Sequence, residues 1–485
     1  MPTKLVALCS LVLLPVALVA FQQAAEKPDP VVAKAMAIHK NAITLDTHVD
    51  IGGADYATPA LDPGAPTSRL KCDLTKMEKG GLKGAFLAVY VGQGPLDDAG
   101  YARAYEQAMT KFAALKRLTE QMYPDRCALA TSPADVERIA KTGKRVIMTG
   151  VENGYPMGKD LANLKKFYDL GARYVTLSHS GNNQLADSSS GREPLNNGLS
   201  ELGRQVVAEM NRLGMMIDVS HIAEKSFWDI IAITKAPIIA SHSGSKAICD
   251  VDRNLTDDQL KALTKNGGVI QTVALASYLK KDDPARTAAV AKLREEIGLP
   301  ARGGRGGGRG GAGAAGAGAG AAGAGAGAAG AGAGAAGAGA GAAGAGAGAA
   351  GARAGAAGGG AGGGRSATAG MTDEQRADYD KKMALFQERM KEVDAKYPPA
   401  SLKDFVDHID HAVKVAGIDH VGIGTDFDGG GGIPGFNDDT DSPNVTIELV
   451  RRGYTEAQIR KIWGGNLLRV WRDVEKVAAR LQKTK

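Results

Sequence analysis

The stretch MMIDVSHIAEKSFWDIIAITKAPIIASH, residues 215–242, decides the fold class because it contains two short apolar runs that each end in Ser-His. The runs at 215–219 and 237–240 have the composition of strands that are covered on both faces. Between them, residues 225–233 have the spacing of an amphipathic helix. This order predicts a parallel strand-helix-strand unit.

The same pattern extends along the chain in both directions. Further apolar runs occupy residues 43–51, 82–91, 145–151, 174–178, 268–275 and 420–425, and amphipathic stretches such as 101–122, 201–213, 257–264 and 402–416 lie between them. Several of these stretches stop at a glycine, which forms a left-handed helix cap easily because it lacks Cβ. Eight strands that alternate with helices predict an α/β fold, a (β/α)8 TIM barrel.

Two segments do not fit the barrel pattern. Lys4, an apolar stretch to about residue 21 and then small residues predict a signal peptide over residues 1–25 and an exported protein, periplasmic or secreted. An uncleaved leader would instead act as a signal anchor. Residues 301–370 are almost wholly glycine and alanine, which predicts a disordered insertion between strands 7 and 8 of one domain over residues 26–485, with silk-like stacking as the alternative. Just after it, residues 372–375 predict a capping box that opens a charged helix.

The charge and cysteine content exclude two classes of protein. Residues 301–365 contain five arginines and no acid, so the formal net charge of +6 leaves the rest of the chain close to neutral. No basic face indicates a nucleic-acid partner. After the leader only Cys72, Cys127 and Cys249 remain, which rules out a disulfide framework and leaves room for one pair.

Histidines and acids lie at the carboxyl ends of the predicted strands. In chain order they are His48 and Asp50, Glu152, His179, His221, His242 and Asp426. Because all eight strands end at one face of such a barrel, we expect these side chains to converge there. The three Ser-His pairs are hard to explain as structural residues in a chain with eight histidines.

The residue types at these strand ends indicate a metal site. Imidazoles and carboxylates suit zinc or a similar ion, which lowers the pKa of a bound water. Two ions need a bridging ligand, and Glu152 is the best candidate. The pattern therefore predicts a barrel of the metallo-dependent hydrolase type. The other histidines are assigned to structure or surface: His39, His408, His411 and His420.

Seven short motifs together point to one family. They are His48-x-Asp50, Gly150-Val-Glu152, Leu177-Ser-His179-Ser, Asp218-Val-Ser-His221, Ser241-His242-Ser, Asp252-Arg253-Asn254 and Gly422-Ile-Gly-Thr-Asp426-Phe-Asp-Gly429. With these motifs the chain resembles the membrane dipeptidase (renal dipeptidase) family of binuclear zinc peptidases over residues 40–280 and 400–475. The chain departs from the family at Gln271-Thr-Val-Ala-Leu275, which replaces the usual Asn-Phe-Tyr sequence.

The resemblance implies two zinc ions per chain and a ligand set for them. His48 and Asp50 would bind one Zn2+, His221 and His242 would bind the other, and Glu152 would bridge the two. Metal-bound hydroxide would then attack the peptide bond of a dipeptide with free termini.

The resemblance also implies roles for the remaining site residues. His179 would polarise the scissile carbonyl, Arg253 would hold the substrate carboxylate, and Asp426 would bind the free amine and handle protons. The residues alone leave two alternatives open. Arg253 fits a surface salt bridge with a neighbouring acid, and Asp428 rivals Asp426 because both carboxylates would lie on one side of an extended segment.

Two other functions stay open at this point. A related binuclear metal amidohydrolase acting on a lactone, cyclic amide or phosphoester would share the metals without needing Arg253. A non-enzymatic extracellular interaction protein would use the Gly/Ala segment for association. The expected partner is a dipeptide substrate, with no nucleic acid and no stable membrane anchor, while the sequence leaves a homodimer and the preferred dipeptide open.

Overall fold

The computed structural model describes residues 29–66, 68–300 and 372–483. The predicted signal peptide at residues 1–25 and the predicted insertion at 301–370 lie outside these residues. Among the helices in the described ranges, none is both long and apolar enough to cross a membrane.

Nine parallel strands form one sheet, and eight of them form the barrel. The strands are β1 (Leu45–Asp50), β2 (Gly84–Tyr90), β3 (Cys127–Leu129), β4 (Arg145–Glu152), β5 (Ala172–Thr176), β6 (Met216–Asp218), β7 (Ile239–Ser243), β8 (Val269–Thr272) and β9 (Val421–Ile423). The barrel order is β1-β2-β4-β5-β6-β7-β8-β9, and β3 pairs with the start of β4, off this path. The predicted (β/α)8 barrel is confirmed.

Two backbone hydrogen bonds join the first strand to the segment after the last one. The N–H of Asp426 donates to the carbonyl of His48 at 3.0 Å, and the N–H of Asp50 donates to the carbonyl of Phe427 at 2.9 Å. The four residues of this closure lie at the carboxyl ends of β1 and β9.

Helices connect the strands, and their caps follow the sequence. The helices are α1 (Pro30–Asn41), α2 (Leu74–Gly80), α3 (Asp98–Arg117), α4 (Pro133–Lys141), α5 (Leu161–Asp169), α6 (Glu201–Leu213), α7 (Glu224–Ile233), α8 (Asp257–Asn266), α9 (Ala276–Leu279), α10 (Pro284–Ile297), α11 (Asp373–Lys396), α12 (Leu402–Ala416), α13 (Ser442–Arg451), α14 (Glu456–Arg460) and α15 (Asn466–Lys483). The capping box predicted at Thr372 opens α11, and left-handed glycines end α6 and α8.

The connection between β8 and α12 contains more helix than the sequence predicted. Besides α11 it contains α9 and α10, and α10 packs along α11. Arg286 pairs with Asp394 at 2.9 Å, and the guanidinium of Arg294 lies 5.3 Å from the ring centroid of Phe386. These two helices flank the Gly/Ala-rich sequence. It lies between β8 and β9, which are the seventh and eighth strands of the barrel, as expected.

The C-terminal helix packs against side chains from the amino-terminal halves of the strands. This cluster includes Leu45, Phe86, Val146, Met216, Ile239 and Val269 from the strands and Leu467, Val470, Trp471 and Val474 from α15. Full burial of one such side chain stabilises the fold by roughly 1.5–3 kcal/mol. The cluster therefore stabilises the end of the barrel opposite the carboxyl ends, which stay available for a site.

Candidate active site

Glu152 lies at the centre of four imidazoles. It is the last residue of β4, it is 2% exposed, and the Nε2 atoms of four histidines surround its carboxylate. The distances from its oxygens are 3.4 Å to His48, 3.4 Å to His179, 3.0 Å to His221 and 3.4 Å to His242. The strand ends converge as the sequence predicted.

Two groups of three ligand atoms could each hold a metal ion. One group is His48, Glu152 and His242, and the other is Glu152, His179 and His221, with all ligand atoms of a group within 4.8 Å of one another. Glu152 belongs to both, as a bridging carboxylate would. The grouping differs from the implied pairs, because His221 and His242 fall into different groups although their Nε2 atoms lie 2.8 Å apart.

The donor set fits a pair of divalent transition ions. Imidazole nitrogens and carboxylate oxygens are the ligands that zinc and its neighbours prefer. Within the described part of the chain, His48 Nε2, Asp50 Oδ1 and His179 Nδ1 are buried polar atoms without a hydrogen-bond partner. Buried polar atoms are nearly always paired, so these three are available to a ligand.

Burial and mutual charge shift the pKa values of the site residues. Burial opposes the ionisation of Glu152, but the surrounding histidines hold its pKa well below the usual range. Burial alone would lower the pKa of His48, whereas Glu152 outweighs it and raises that pKa to about 9. Burial and the nearby cation of Arg253 lower the pKa of His221. Glu152 is therefore held as a carboxylate, the form that can bind a metal.

Asp426 faces this pocket and Asp428 does not. Both have left-handed backbone, with φ of +60° and +63°, so the predicted extended segment with both carboxylates on one side is wrong. Asp428 accepts hydrogen bonds from the N–H groups of residues 71 and 72, at 2.8 and 3.1 Å. Asp426 and Asp50 instead approach each other around Gly429, where an added Cβ would lie 2.2 Å and 2.5 Å from their oxygens. Burial and the Asp50 charge raise the pKa of Asp426.

Arg253 is buried beside the site. It is 7% exposed and donates to Ser243 Oγ at 3.0 Å and to the backbone carbonyl of residue 242 at 2.9 Å. The neighbouring acids Asp250 and Asp252 pair with Lys246 at 3.9 and 3.0 Å. The surface salt bridge considered for Arg253 is therefore wrong.

Left-handed backbone is concentrated at the strand ends that carry the site. Besides the two aspartates after β9, Asn153 has a φ of +74° and His221 a φ of +68°. Asn, Asp and His tolerate this region better than most residues, but each still costs of order 1–3 kcal/mol. Such strain is typical of functional sites and aims the side chains in directions that an ordinary strand end would not allow.

Two contacts at the site had no clear signal in the sequence. The ammonium of Lys111, 7% exposed, donates to the carbonyl of Ile51 at 2.7 Å, although its position on a charged helix gave no indication of burial. Tyr174 reaches His48 with its hydroxyl at 2.9 Å. The repeated Ser-His pairs were the one feature of the sequence that could have suggested a hydroxyl hydrogen-bonded to a site imidazole.

The remaining histidines and cysteines lie outside the pocket. Each of these histidines makes hydrogen bonds elsewhere: His39 with Thr446 and Gly80, His408 with Ser245 and Leu279, His411 with Asp257, and His420 with Gly268. Cys72, Cys127 and Cys249 are free and buried, so the disulfide pair for which the sequence left room is not formed.

A known family matches almost the whole chain. Residues 32–485 match the family model described as membrane dipeptidase (Peptidase family M19). The chain belongs to the membrane dipeptidase family. It is therefore a peptide-bond hydrolase of the metallo-dipeptidase type, and the resemblance inferred from the seven motifs is confirmed.

Two relatives with dipeptidase names agree with this assignment, and a third protein shares the fold. Dipeptidase tcpJ from Claviceps purpurea (strain 20.1) is 27% identical over 412 residues, which cover 84% of this chain and 70% of that protein. The crystal structure of the probable dipeptidase PvdM from Pseudomonas aeruginosa has 30% identity and a TM-score of 0.69, covering 93% of this chain and all of that one (100%). A metallo peptidase from Rhodobacter sphaeroides, solved with a phosphinate mimic of the dipeptide L-Ala-D-Ala, shares the fold at 21% identity and a TM-score of 0.59, covering 90% of this chain and 100% of that one.

Proposed function

We propose that this chain is a binuclear zinc dipeptidase that hydrolyses dipeptides with free termini. The observation that carries the proposal is the position of Glu152 among four imidazole Nε2 atoms at 3.0–3.4 Å. As the family resemblance implies, His48 and Asp50 would hold one ion, and His221 and His242, whose Nε2 atoms lie 2.8 Å apart, would hold the other, with Glu152 shared between them. When bound, the ions supply a Lewis acid and lower the pKa of a coordinated water.

Two buried groups of opposite charge would hold the ends of the substrate. Arg253 uses two N–H groups on protein acceptors, and its Nε–H has no partner in the described chain, so part of the guanidinium fork remains for a carboxylate. The ring of Tyr278 lies 5.5 Å from this guanidinium and restrains its plane. The carboxylate of Asp426 would take the free amine. A dipeptide fills both contacts, whereas a longer peptide would need to displace one.

His179 is the most open of the four imidazoles and would act on the scissile carbonyl. Its side chain is 19% exposed, compared with 0% for His48 and 1% for His242. Burial lowers the pKa of His179, which favours the neutral ring, and a neutral ring can donate one N–H to the oxygen as negative charge develops. Asp426 would then take the proton released by the attacking water and pass it to the leaving amine.

Substrate profiling of the metal-loaded protein tests this proposal. The Rhodobacter sphaeroides relative was solved with a phosphinate that mimics L-Ala-D-Ala. This supports including L-D as well as L-L dipeptides in the panel. We expect turnover of free dipeptides, loss of turnover with a chelator, and much weaker turnover when either terminus is blocked. Activity on lactones or phosphotriesters with none on any dipeptide would overturn the proposal in favour of a different amidohydrolase.

Elemental analysis tests the number of ions and the bridge. Wild-type protein should contain two zinc ions per chain, and Glu152→Ala should lose at least one. Glu137→Ala is the matched control, since Glu137 lies on α4 with a side chain 43% exposed and pairs with Arg472. Two tightly held zinc ions in Glu152→Ala would refute the bridging role.

We also propose that the protein is exported, periplasmic or secreted, with a mature chain that begins near residue 26. The apolar leader supports this proposal. Mass spectrometry of the N-terminus of protein recovered outside the cytoplasm should find a start near this residue. An intact Met1 there would indicate a signal anchor instead. Light scattering of the same sample would test for a homodimer.

A further inference from the structure

A hydroxyl and a carboxylate stand behind His242, on the side away from Glu152. The Nδ1 atom of His242 lies 2.8 Å from Ser241 Oγ, and this hydroxyl donates to Asp218 Oδ2 at 2.7 Å. All three residues are at most 1% exposed. Asp218 also accepts hydrogen bonds from the N–H groups of Ser241 and Ser220, at 2.7 and 3.1 Å, and from the hydroxyl of Thr176. Four donors therefore fix this carboxylate between β5, β6 and β7.

A second hydroxyl stands behind His48 in the same way. The Nδ1 atom of His48 lies 2.9 Å from Tyr174 Oη, which donates to the carbonyl of Thr47 at 3.2 Å. Tyr174 crosses the barrel interior because β4 has a glycine opposite it, and a Cβ at Gly150 would lie 2.0 Å from the tyrosine ring. The glycine of the Gly150-Val-Glu152 motif therefore makes room for the residue that reaches His48.

The direction of these hydrogen bonds determines which ring nitrogen carries the proton. A hydroxyl has one hydrogen, and a backbone carbonyl or a carboxylate can only accept it. Once Ser241 donates to Asp218, its oxygen can only accept from His242, so the proton must be on Nδ1. The same reasoning applies to Tyr174, Thr47 and His48. In both rings Nε2, which faces Glu152 at 3.4 Å, is then the nitrogen left to bind a metal.

We propose that Ser241 and Tyr174 are positioning residues that hold His242 and His48 in the Nδ1-protonated tautomer needed for metal binding through Nε2. The inference rests on the proposed function, since it assumes that these two imidazoles are ligands. Partners of this kind set the orientation and basicity of a ligating histidine, and their loss typically costs about 10–100-fold in metal affinity. Ser241 and Tyr174 should therefore matter for affinity without touching the metal or the substrate.

The test compares hydroxyl deletions at these positions with matched deletions elsewhere. Ser241→Ala and Tyr174→Phe each remove one oxygen. Ser226→Ala and Tyr155→Phe are the controls, because both hydroxyls are buried but donate to backbone carbonyls, at 3.0 and 2.6 Å. Zinc affinity is measured by competition with a chromophoric chelator. The ring 15N shifts of His242 in histidine-labelled, metal-free protein report which nitrogen carries the proton, since burial lowers the pKa of this ring and keeps it neutral.

We expect zinc affinity to fall about 10–100-fold in Ser241→Ala and Tyr174→Phe, with the His242 15N shifts of Ser241→Ala moving away from the Nδ1-protonated pattern. Both controls should match wild type, and Ser241→Thr, which keeps a hydroxyl, should recover the affinity. Zinc affinities and 15N shifts equal to those of the controls would overturn the inference. If Ser241→Ala does not fold, Tyr174→Phe alone decides. Wild-type protein that binds no zinc and cleaves no dipeptide would instead refute the proposed function.

Discussion

Replacing Gly429 by alanine should push apart the two carboxylates at the open side of the site. An added Cβ would lie 2.2 Å from Asp426 Oδ1 and 2.5 Å from Asp50 Oδ2, whereas ordinary contacts begin at 3.4 Å. Gly429 is not among the glycines with positive φ, so alanine fits the backbone there without strain. The atoms in the way are the ends of side chains, which can rotate without unfolding the loop.

The size of the effect follows from these distances. Relief of the closer contact requires the Asp426 carboxylate to move by about 1 Å, and a misplacement of this size can cost about 100-fold in rate. This corresponds to about 2.7 kcal/mol of transition-state stabilisation. We therefore expect kcat/KM for a free dipeptide to fall about 100-fold while the melting temperature changes by only a few degrees.

Three measurements on the purified variant check this expectation: kcat/KM at saturating zinc, zinc content and melting temperature. Gly53→Ala is the control, because it lies in the loop after β1 and an added Cβ there meets nothing within 4 Å. A Gly429→Ala rate within about threefold of wild type would refute the argument from side-chain displacement. A large fall in melting temperature would show that the backbone gives way instead.

Three further predictions follow. Arg253→Met should lower kcat/KM about 100-fold for a free dipeptide and only a few-fold for its C-terminal amide, because a lost charged contact costs about 2–3 kcal/mol. Equal losses on both substrates would contradict a contact between Arg253 and the substrate carboxylate. Asp439 is buried without a well-aligned hydrogen bond in the described chain, and burial raises its pKa well above the usual range. The protonated form is therefore favoured in the folded state. Its contribution to stability is complete below about pH 4 and is lost as the pH rises toward the folded-state pKa. In urea titrations, the free energy of unfolding of Asp439→Asn should therefore rise relative to that of wild type by up to about 1.4 kcal/mol for each pH unit above pH 4. A difference that does not change with pH would contradict this. Deletion of residues 301–365 should leave dipeptide turnover and melting temperature close to wild type, and loss of turnover in a folded deletion variant would give the insertion a role at the site.

The barrel was predictable from the sequence because strand composition and spacing carry most of the information. Even β6 and β9, three residues each, were located, since an apolar run precedes a histidine or an acid at each. β3 was missed because it lies off the barrel path and its three residues show no clear pattern of buried and exposed side chains. α10 was missed because only Leu293 of its fourteen residues is buried, which leaves no apolar face to detect.

The site was predictable as a set of residues but not as a geometry. The position of His48, Glu152 and Asp426 at strand ends was enough to predict that they converge. The choice between Asp426 and Asp428 depended on left-handed backbone at both residues, which a strand pattern does not encode. The role proposed for Arg253 came from the resemblance alone, because its sequence neighbours cannot reveal that Asp250 and Asp252 pair with Lys246.

The closure of the barrel has a consequence for when this enzyme can work. Its hydrogen bonds are made by the backbones of His48, Asp50 and Asp426, which belong to the candidate site, and by that of Phe427. Contacts so distant in sequence form late and slowly during folding. A nascent chain that lacks β9 and the segment after it therefore has every histidine of the pocket but not Asp426. Turnover should then appear as the final event of folding, and the unfinished chain stays inert until that moment.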